Sequence, residues 1–185
     1  MGVGSTARNW GSTPAEREMV FPCDRYLHES GEALFRAIDV DAPASIVFRW
    51  LCQLRAAPYS YDWIDNLGRR SPRALTPGLE ELAEGQRVMT IFELAEFEPD
   101  RQLTLRLRNP RLLRDLAVTY LVVPAAEQRS RLLVKMLVAY RGGRVGAFAA
   151  GTPLALGDLV MMRRQLLNLK QLAEETAAAE RAGRA

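Results

Sequence analysis

Residues 87–140 set the tightest limit on what this chain can fold into. They spell four β-like runs, 87–97, 102–108, 116–123 and 131–140, divided only by turn signals at Glu98-Pro99-Asp100, at Asn109-Pro110 and across 124–130. Links that short cannot carry a parallel crossover, so the runs are expected to form an antiparallel meander. In the second run Leu103, Leu105 and Leu107 alternate with Thr104, Arg106 and Arg108, which predicts an apolar inner face and a wet outer one. In the fourth, Val134, Met136, Val138 and Tyr140 face in together while Lys135 faces out.

A sheet with one greasy face needs a cover, and the segments around it supply one. After the glycine-rich break at 142–146, Thr152-Pro153 is expected to cap and start a helix that runs to about residue 179. Its residues Leu159, Met162, Leu166, Leu169 and Ala173 form a narrow stripe flanked by Leu154, Met161 and Leu172, with Arg164, Asn168, Gln171 and Glu175 opposite. Upstream, 34–40 alternates as a strand, and Asp41-Ala42-Pro43 then signals a helix that ends before Pro58. On that helix Ile46, Val47, Trp50, Leu51 and Leu54 share one face. Residues 58–85 begin aromatic and turn rich in Pro, Gly and Arg, which reads as a short helix followed by a long loop. Residues 1–33 read as an irregular arm pinned by Trp10 and Phe21, residues 34–179 as one domain, and 180–185 as a tail that frays.

Composition removes many chemistries. The chain has 185 residues, 48% of them hydrophobic, and 25 basic against 22 acidic side chains, so its charge of +3 does not call for a nucleic acid as partner. Arginines at 69, 70, 73, 106, 108, 111 and 114 fit a solvated face better than a binding stripe, because they lack interleaved aromatic rings. Cys23 and Cys52 lack the CxxC spacing of a redox pair or zinc knuckle, and His28 is the one histidine, so neither a metal site nor a histidine-based triad is expected. The N-terminal residues carry no apolar core of a signal peptide, and the apolar-rich stretch 145–162 is broken by Gly151, Pro153, Gly157 and Asp158. The expectation is a cytoplasmic protein with reduced thiols, without stable membrane insertion, as a monomer or homodimer.

One strand, a helical excursion, a meander and a single long amphipathic helix make an α+β order in which the helix covers one sheet face. With Asn9-Trp10-Gly11-Ser12-Thr13 in the arm, the run from Ile38 through Ala42-Pro43 to Trp50 and Leu51, the YSYDWIDNLGR block at 59–69 and the final MMRRQLLNLKQLAE at 161–174, the chain resembles the START-like (SRPBCC) helix-grip superfamily, in its polyketide cyclase/dehydrase-like branch. The resemblance implies a curved antiparallel sheet wrapped around the last helix, enclosing an internal cavity that admits a small hydrophobic or aromatic molecule without a cofactor. Such a pocket works by removing apolar ligand surface from water, with a few polar groups fixing orientation.

The candidate walls of that cavity are Trp50, Tyr59, Tyr61 and Trp63 near the mouth, Phe92, Leu105, Tyr120, Met136 and Tyr140 from strands, and Met162, Gln165, Leu166 and Leu169 from the helix. The aromatic block at 59–63 reads either as a ligand gate or as packing of the short helix on the sheet. Gln165 is the one clearly polar side chain inside the helix's apolar arc; it either meets a ligand or water in a cavity or lies at the arc's boundary. Tyr61, Asp62 and Asp65 are the weak candidates for proton transfer, since residues such as Asp62 and Asp65 more often cap a helix or pair with a neighbouring arginine, here Arg69 or Arg70. Gly68 is expected to close the short helix in a left-handed conformation. Three functions remain open: binding of a lipid-like or polyketide-like ligand, a cofactor-independent polyketide cyclase or dehydratase in the same cavity, and a protein-protein interaction module.

Overall fold

The computed structural model describes residues 7–27, 32–109, 113–140 and 143–183. In chain order the elements are α1 (Pro14–Glu18), β1 (Glu32–Val40), α2 (Ala44–Cys52), α3 (Asp62–Asp65), β2 (Arg87–Val88), β3 (Phe92–Glu98), β4 (Gln102–Leu107), β5 (Leu113–Ala126), β6 (Arg129–Tyr140) and α4 (Gly143–Ala182). The six strands form one antiparallel sheet in the order β1-β6-β5-β4-β3-β2. From β2 to β6 each strand pairs with its successor, and β1 closes the far edge beside β6.

Alternation along each strand builds the inner face in rows. Leu34, Met136, Val118, Leu105 and Leu94 stand opposite one another across five strands, and Val134, Tyr120, Leu103 and Phe97 make the neighbouring row. Onto these rows fall α2, through Ile46, Val47, Trp50 and Leu51, and α4, through Leu166, Leu169, Leu172, Ala173 and Ala177, all in one buried cluster. The stripe read from the sequence is therefore the buried side of α4 from residue 162 onward, where Met162 is half-buried against the same cluster. Leu154, Arg111 and Arg114 have side chains outside the described part of the molecule.

Three expectations need correction. The run 87–97 is two strands, because Met89 and Thr90 both take left-handed backbone (φ +45° and +67°) and fold Val88 back onto Phe92. The last helix starts at Gly143, upstream of the expected cap at Thr152-Pro153, so Pro153 lies inside it and forfeits one backbone hydrogen bond. Third, the outer face of the sheet is wet at Arg106 and Arg108 but not throughout. The arm lies across it: Phe21 and Cys23 are buried with Phe35, Ala37, Ala117, Leu121 and Leu133, and Phe21 meets the Phe35 ring edge-on at 6.2 Å. Beneath it Thr104 and Thr119 share a buried hydrogen bond of 2.9 Å. Lys135, expected to face solvent, is only 11% exposed, paired with Asp24 at 2.6 Å and stacked on Phe21 and Phe35.

The arm reaches this position along the edge of β1, where Asn9 and Trp10 bridge Phe35 and Arg36 in parallel. Gly11 then turns with φ +73°, and a Cβ there would stand 2.1 Å from the Ala37 carbonyl oxygen. Gly68 also has positive φ (+77°), as expected for the end of α3, but open space around it. Gly68→Ala therefore meets only the left-handed backbone penalty of about 1 kcal/mol, whereas Gly11→Ala adds a backbone clash and is expected to cost about 2–3 kcal/mol. Urea denaturation of the two variants separates these terms; equal losses would show that the arm does not hold the edge of β1.

Candidate functional site

The site is built where the inner face of the sheet meets one turn of α4. Gln165 is buried there, and every polar atom of its amide is met by protein. The Tyr120 hydroxyl donates to Oε1 at 2.7 Å, and Nε2 donates to the Pro58 carbonyl at 2.6 Å and approaches the Met89 sulfur at 3.3 Å. One turn on, Asn168 donates to the Tyr59 carbonyl at 2.8 Å. Gln165 thus brackets three elements that are far apart in sequence: β5, the segment ahead of α3, and the β2–β3 turn. Neither sequence alternative for it, a ligand or a boundary position, anticipated that protein groups would satisfy it.

Two of the segments so bracketed hold unfavourable backbone. Tyr59 (φ +55°) and Met89 (φ +45°) are both left-handed without being glycine, which costs of order 1–3 kcal/mol each and persists only where the surroundings enforce it. Around them sit flexible thioethers: Met162 Sδ lies 3.8 Å from the Tyr120 hydroxyl, and Ser60 donates to Met161 Sδ at 3.6 Å. Behind Tyr59, Trp50 presents its ring edge-to-face at 6.0 Å and donates its indole N–H to Thr176 at 3.0 Å, which ties α2 to α4. The long segment after α3 is pinned to the end of α2. Gln53 exchanges hydrogen bonds with the backbone of Thr76, and Arg55 donates to the carbonyls of Gly78, Leu79 and Glu81.

Of the sequence candidates, Trp50, Tyr59, Phe92, Leu105, Tyr120, Met136, Gln165, Leu166 and Leu169 are buried, and Met162 is half-buried beside them. Tyr61 is half-buried at the start of α3. Trp63 is 76% exposed and turned away from this group, as is Leu67 at 90%. His28 and the side chains of Asp65 and Tyr140 lie outside the described residues. Asp62 binds neither Arg69 nor Arg70; its carboxylate accepts from the Ser71 amide at 2.9 Å and the Ser71 hydroxyl at 2.5 Å. Asn168, read as solvent-facing, and Met89, read as mid-strand, were missed. Asn168 lies three residues after Gln165, an offset that places both on adjoining helix faces. Met89 had no comparable signal.

Electrostatics around the site favour neutral groups. Burial, with the Asp62 carboxylate adding to it, pushes the Tyr59 phenol up to about 12, and its hydroxyl has no hydrogen-bond partner among the described residues. Burial likewise pushes the thiols of Cys23 and Cys52 up to about 11 and about 12, so neither is a thiolate near neutral pH. No group of His, Cys, Asp and Glu among the described residues is placed to hold a metal ion, and no described helix is long and apolar enough to cross a membrane. On the outer side of the sheet Arg106 stacks on Tyr26 at 5.2 Å and faces Asp115 at 3.9 Å.

No family model matches the chain, and no curated protein matches it in sequence. Solved structures do match. The chain superposes on BexL, a di-domain ARO/CYC from the BE-7585A biosynthetic pathway, with TM-score 0.50 and 15% identity, covering 77% of this chain and 46% of that one. It superposes equally on a norcoclaurine synthase from Thalictrum flavum, a point mutant bound to a transition-state analogue, with TM-score 0.50, 11% identity and coverage of 81% and 98%. This chain thus spans less than half of the di-domain protein and nearly all of the other. At such identities the likeness is one of fold: an α+β helix-grip fold, a six-stranded antiparallel sheet packed on a long C-terminal helix.

Proposed function

We propose that this protein binds a small apolar or aromatic molecule, lipid-like or polyketide-like, between the inner face of its sheet and α4. The observation that carries the reading is the Tyr120–Gln165 hydrogen bond, a polar bridge set among apolar rows and ringed by Met89 and Met162. A helix and sheet evolved only to interlock would be cemented by branched aliphatic residues, whereas flexible thioethers around one oriented polar pair suit a guest of variable shape. The left-handed Tyr59 and Met89 at the same place support it further, because such strain concentrates at ligand sites.

Binding is preferred over conversion of the ligand. Proton transfer in an apolar cavity calls for a carboxylate or imidazole of shifted pKa, and no Asp, Glu or His is buried among the described residues. Asp62 already spends both carboxylate oxygens on Ser71. Titration with 1-anilinonaphthalene-8-sulfonate and with dodecanol is expected to saturate at about one probe per chain. Met162→Trp, which enlarges the side chain facing Tyr120, is expected to weaken both probes by tenfold or more, from the roughly 1.5–3 kcal/mol of apolar burial a blocked wall removes. Absence of saturable binding in the parent protein would remove the proposal.

A further inference from the structure

Beside the bracket lies a second feature with different chemistry. A cleft of about 330 Å³ runs between α4 and the segment that contains α3. One wall is a single row of α4, Arg164, Asn168 and Leu172, spaced four residues apart so that they stand one above the other. The opposite wall carries Asp62, Arg70, Ser71 and Arg73, and Tyr59 and Ser60 lie at its inner end. Tyr59 and Leu172 belong to the main buried cluster, so the cleft's floor borders the interior beneath α4.

Three exposed arginines, Arg70, Arg73 and Arg164, line this cleft against one carboxylate. That carboxylate, Asp62, is occupied by two hydrogen bonds from Ser71. Arg73 faces Glu175 at 3.8 Å with both side chains more than half exposed, a pairing of little energy. Arg70 and Arg164 take part in no ion pair among the described residues, although elsewhere on this protein arginines such as Arg25, Arg49 and Arg131 are matched with acids. A cleft lined by guanidinium groups with little or no acidic pairing has the donors for a planar or tetrahedral oxyanion, and the one carboxylate of its lining is already engaged by Ser71.

We propose that this cleft is an oxyanion site, which takes the carboxylate or phosphate head of an amphiphilic ligand through Arg70 and Arg164. The assignment of the head group to the same ligand rests on the apolar-binding reading above; the oxyanion site itself does not. It narrows the ligand class to acidic amphiphiles, with the charged end at the α3 side of the grip and the apolar end under α4.

Two measurements on the full chain separate the parts. In the first, inorganic phosphate is titrated while the amide resonances of Ser60, Ser71 and Asn168 are followed by NMR. Saturable shifts there, lost in R70Q/R164Q and kept in the distant R101Q, support the site. Shifts that are absent, or that persist in R70Q/R164Q, overturn it, provided circular dichroism shows that the variant is folded. In the second, dodecanoate and dodecyl phosphate are compared with dodecanol. The acids are expected to bind more tightly, by about fivefold for each guanidinium engaged, and to lose that margin in R70Q/R164Q and in high salt. Equal affinity of acid and alcohol overturns the head-group assignment while leaving apolar binding intact. Phosphate binding with no binding of dodecanol, and with dodecyl phosphate no tighter than inorganic phosphate, keeps the oxyanion site and overturns the apolar reading instead.

Discussion

Trp50→Ala is expected to destabilise the protein by about 3–5 kcal/mol, the range for emptying a buried tryptophan site. Trp50 is essentially fully buried in α2, packs edge-to-face on Tyr59 and donates its indole N–H to Thr176 of α4. Its removal leaves a cavity, takes the ring partner from a residue already held in left-handed backbone, and cuts the hydrogen bond between the two helices. Thr176→Val removes that hydrogen bond together with the one Thr176 donates to the Leu172 carbonyl, and should cost only about 1–2 kcal/mol. Urea denaturation followed by far-UV circular dichroism gives both numbers, and Trp50→Phe should fall between them. A loss below about 1 kcal/mol for Trp50→Ala would mean that α2 and α4 are held together without this residue.

The same residue illustrates how far the sequence could be read. The i, i+4, i+8 spacing of Ile46, Trp50 and Leu54 and the alternation of Leu103, Leu105 and Leu107 are periodic signals, and periodicity reports which face is buried. They gave the meander, the two covering helices and the inner wall. The arm's position was less legible because its contacts are not periodic, yet one clue stood in β5: Leu116 to Val123 is apolar at nearly every position, the pattern of a strand covered on both faces. Ala117 and Leu121 on that strand needed a second cover, and Phe21 and Cys23 provide it. The split at Met89-Thr90 left no trace, since neither residue favours positive φ and the conformation is imposed by tertiary contacts. For the candidate site, the sequence named Tyr59, Tyr120, Met162 and Gln165 individually. That they meet at one turn of α4, and that Arg70, Arg73 and Arg164 share a cleft beside it, depends on the path of residues 58–73 over the helix, which no local pattern encodes.

Gln165→Leu tests whether that meeting point is part of the fold or belongs to a ligand alone. If the amide served only a guest, its replacement by a leucine of similar size would leave the unliganded protein as stable as before or more so, since apolar replacement of an unmatched buried polar group is favourable. The geometry requires the opposite. Gln165 accepts from Tyr120 and donates to the half-buried Pro58 carbonyl, so leucine removes two hydrogen bonds at about 0.5–1.5 kcal/mol each, an expected loss of roughly 1–3 kcal/mol. Tyr120→Phe removes the donor while leaving the amide its bond to Pro58, and should cost about 1–2 kcal/mol. Because both substitutions break the same hydrogen bond, the double variant should be less destabilised than the sum of the singles, by about 0.5–2 kcal/mol. Strict additivity would show that the two side chains do not act together. Binding of dodecanol adds a second axis to the cycle: the bracket holds Pro58 and Met89 against α4, so its loss should weaken the probe in both single variants even though the probe's alkyl chain makes no hydrogen bond. A stability loss confined to the apo protein, with probe affinity unchanged, would assign Tyr120 and Gln165 to the scaffold and move the binding wall away from them.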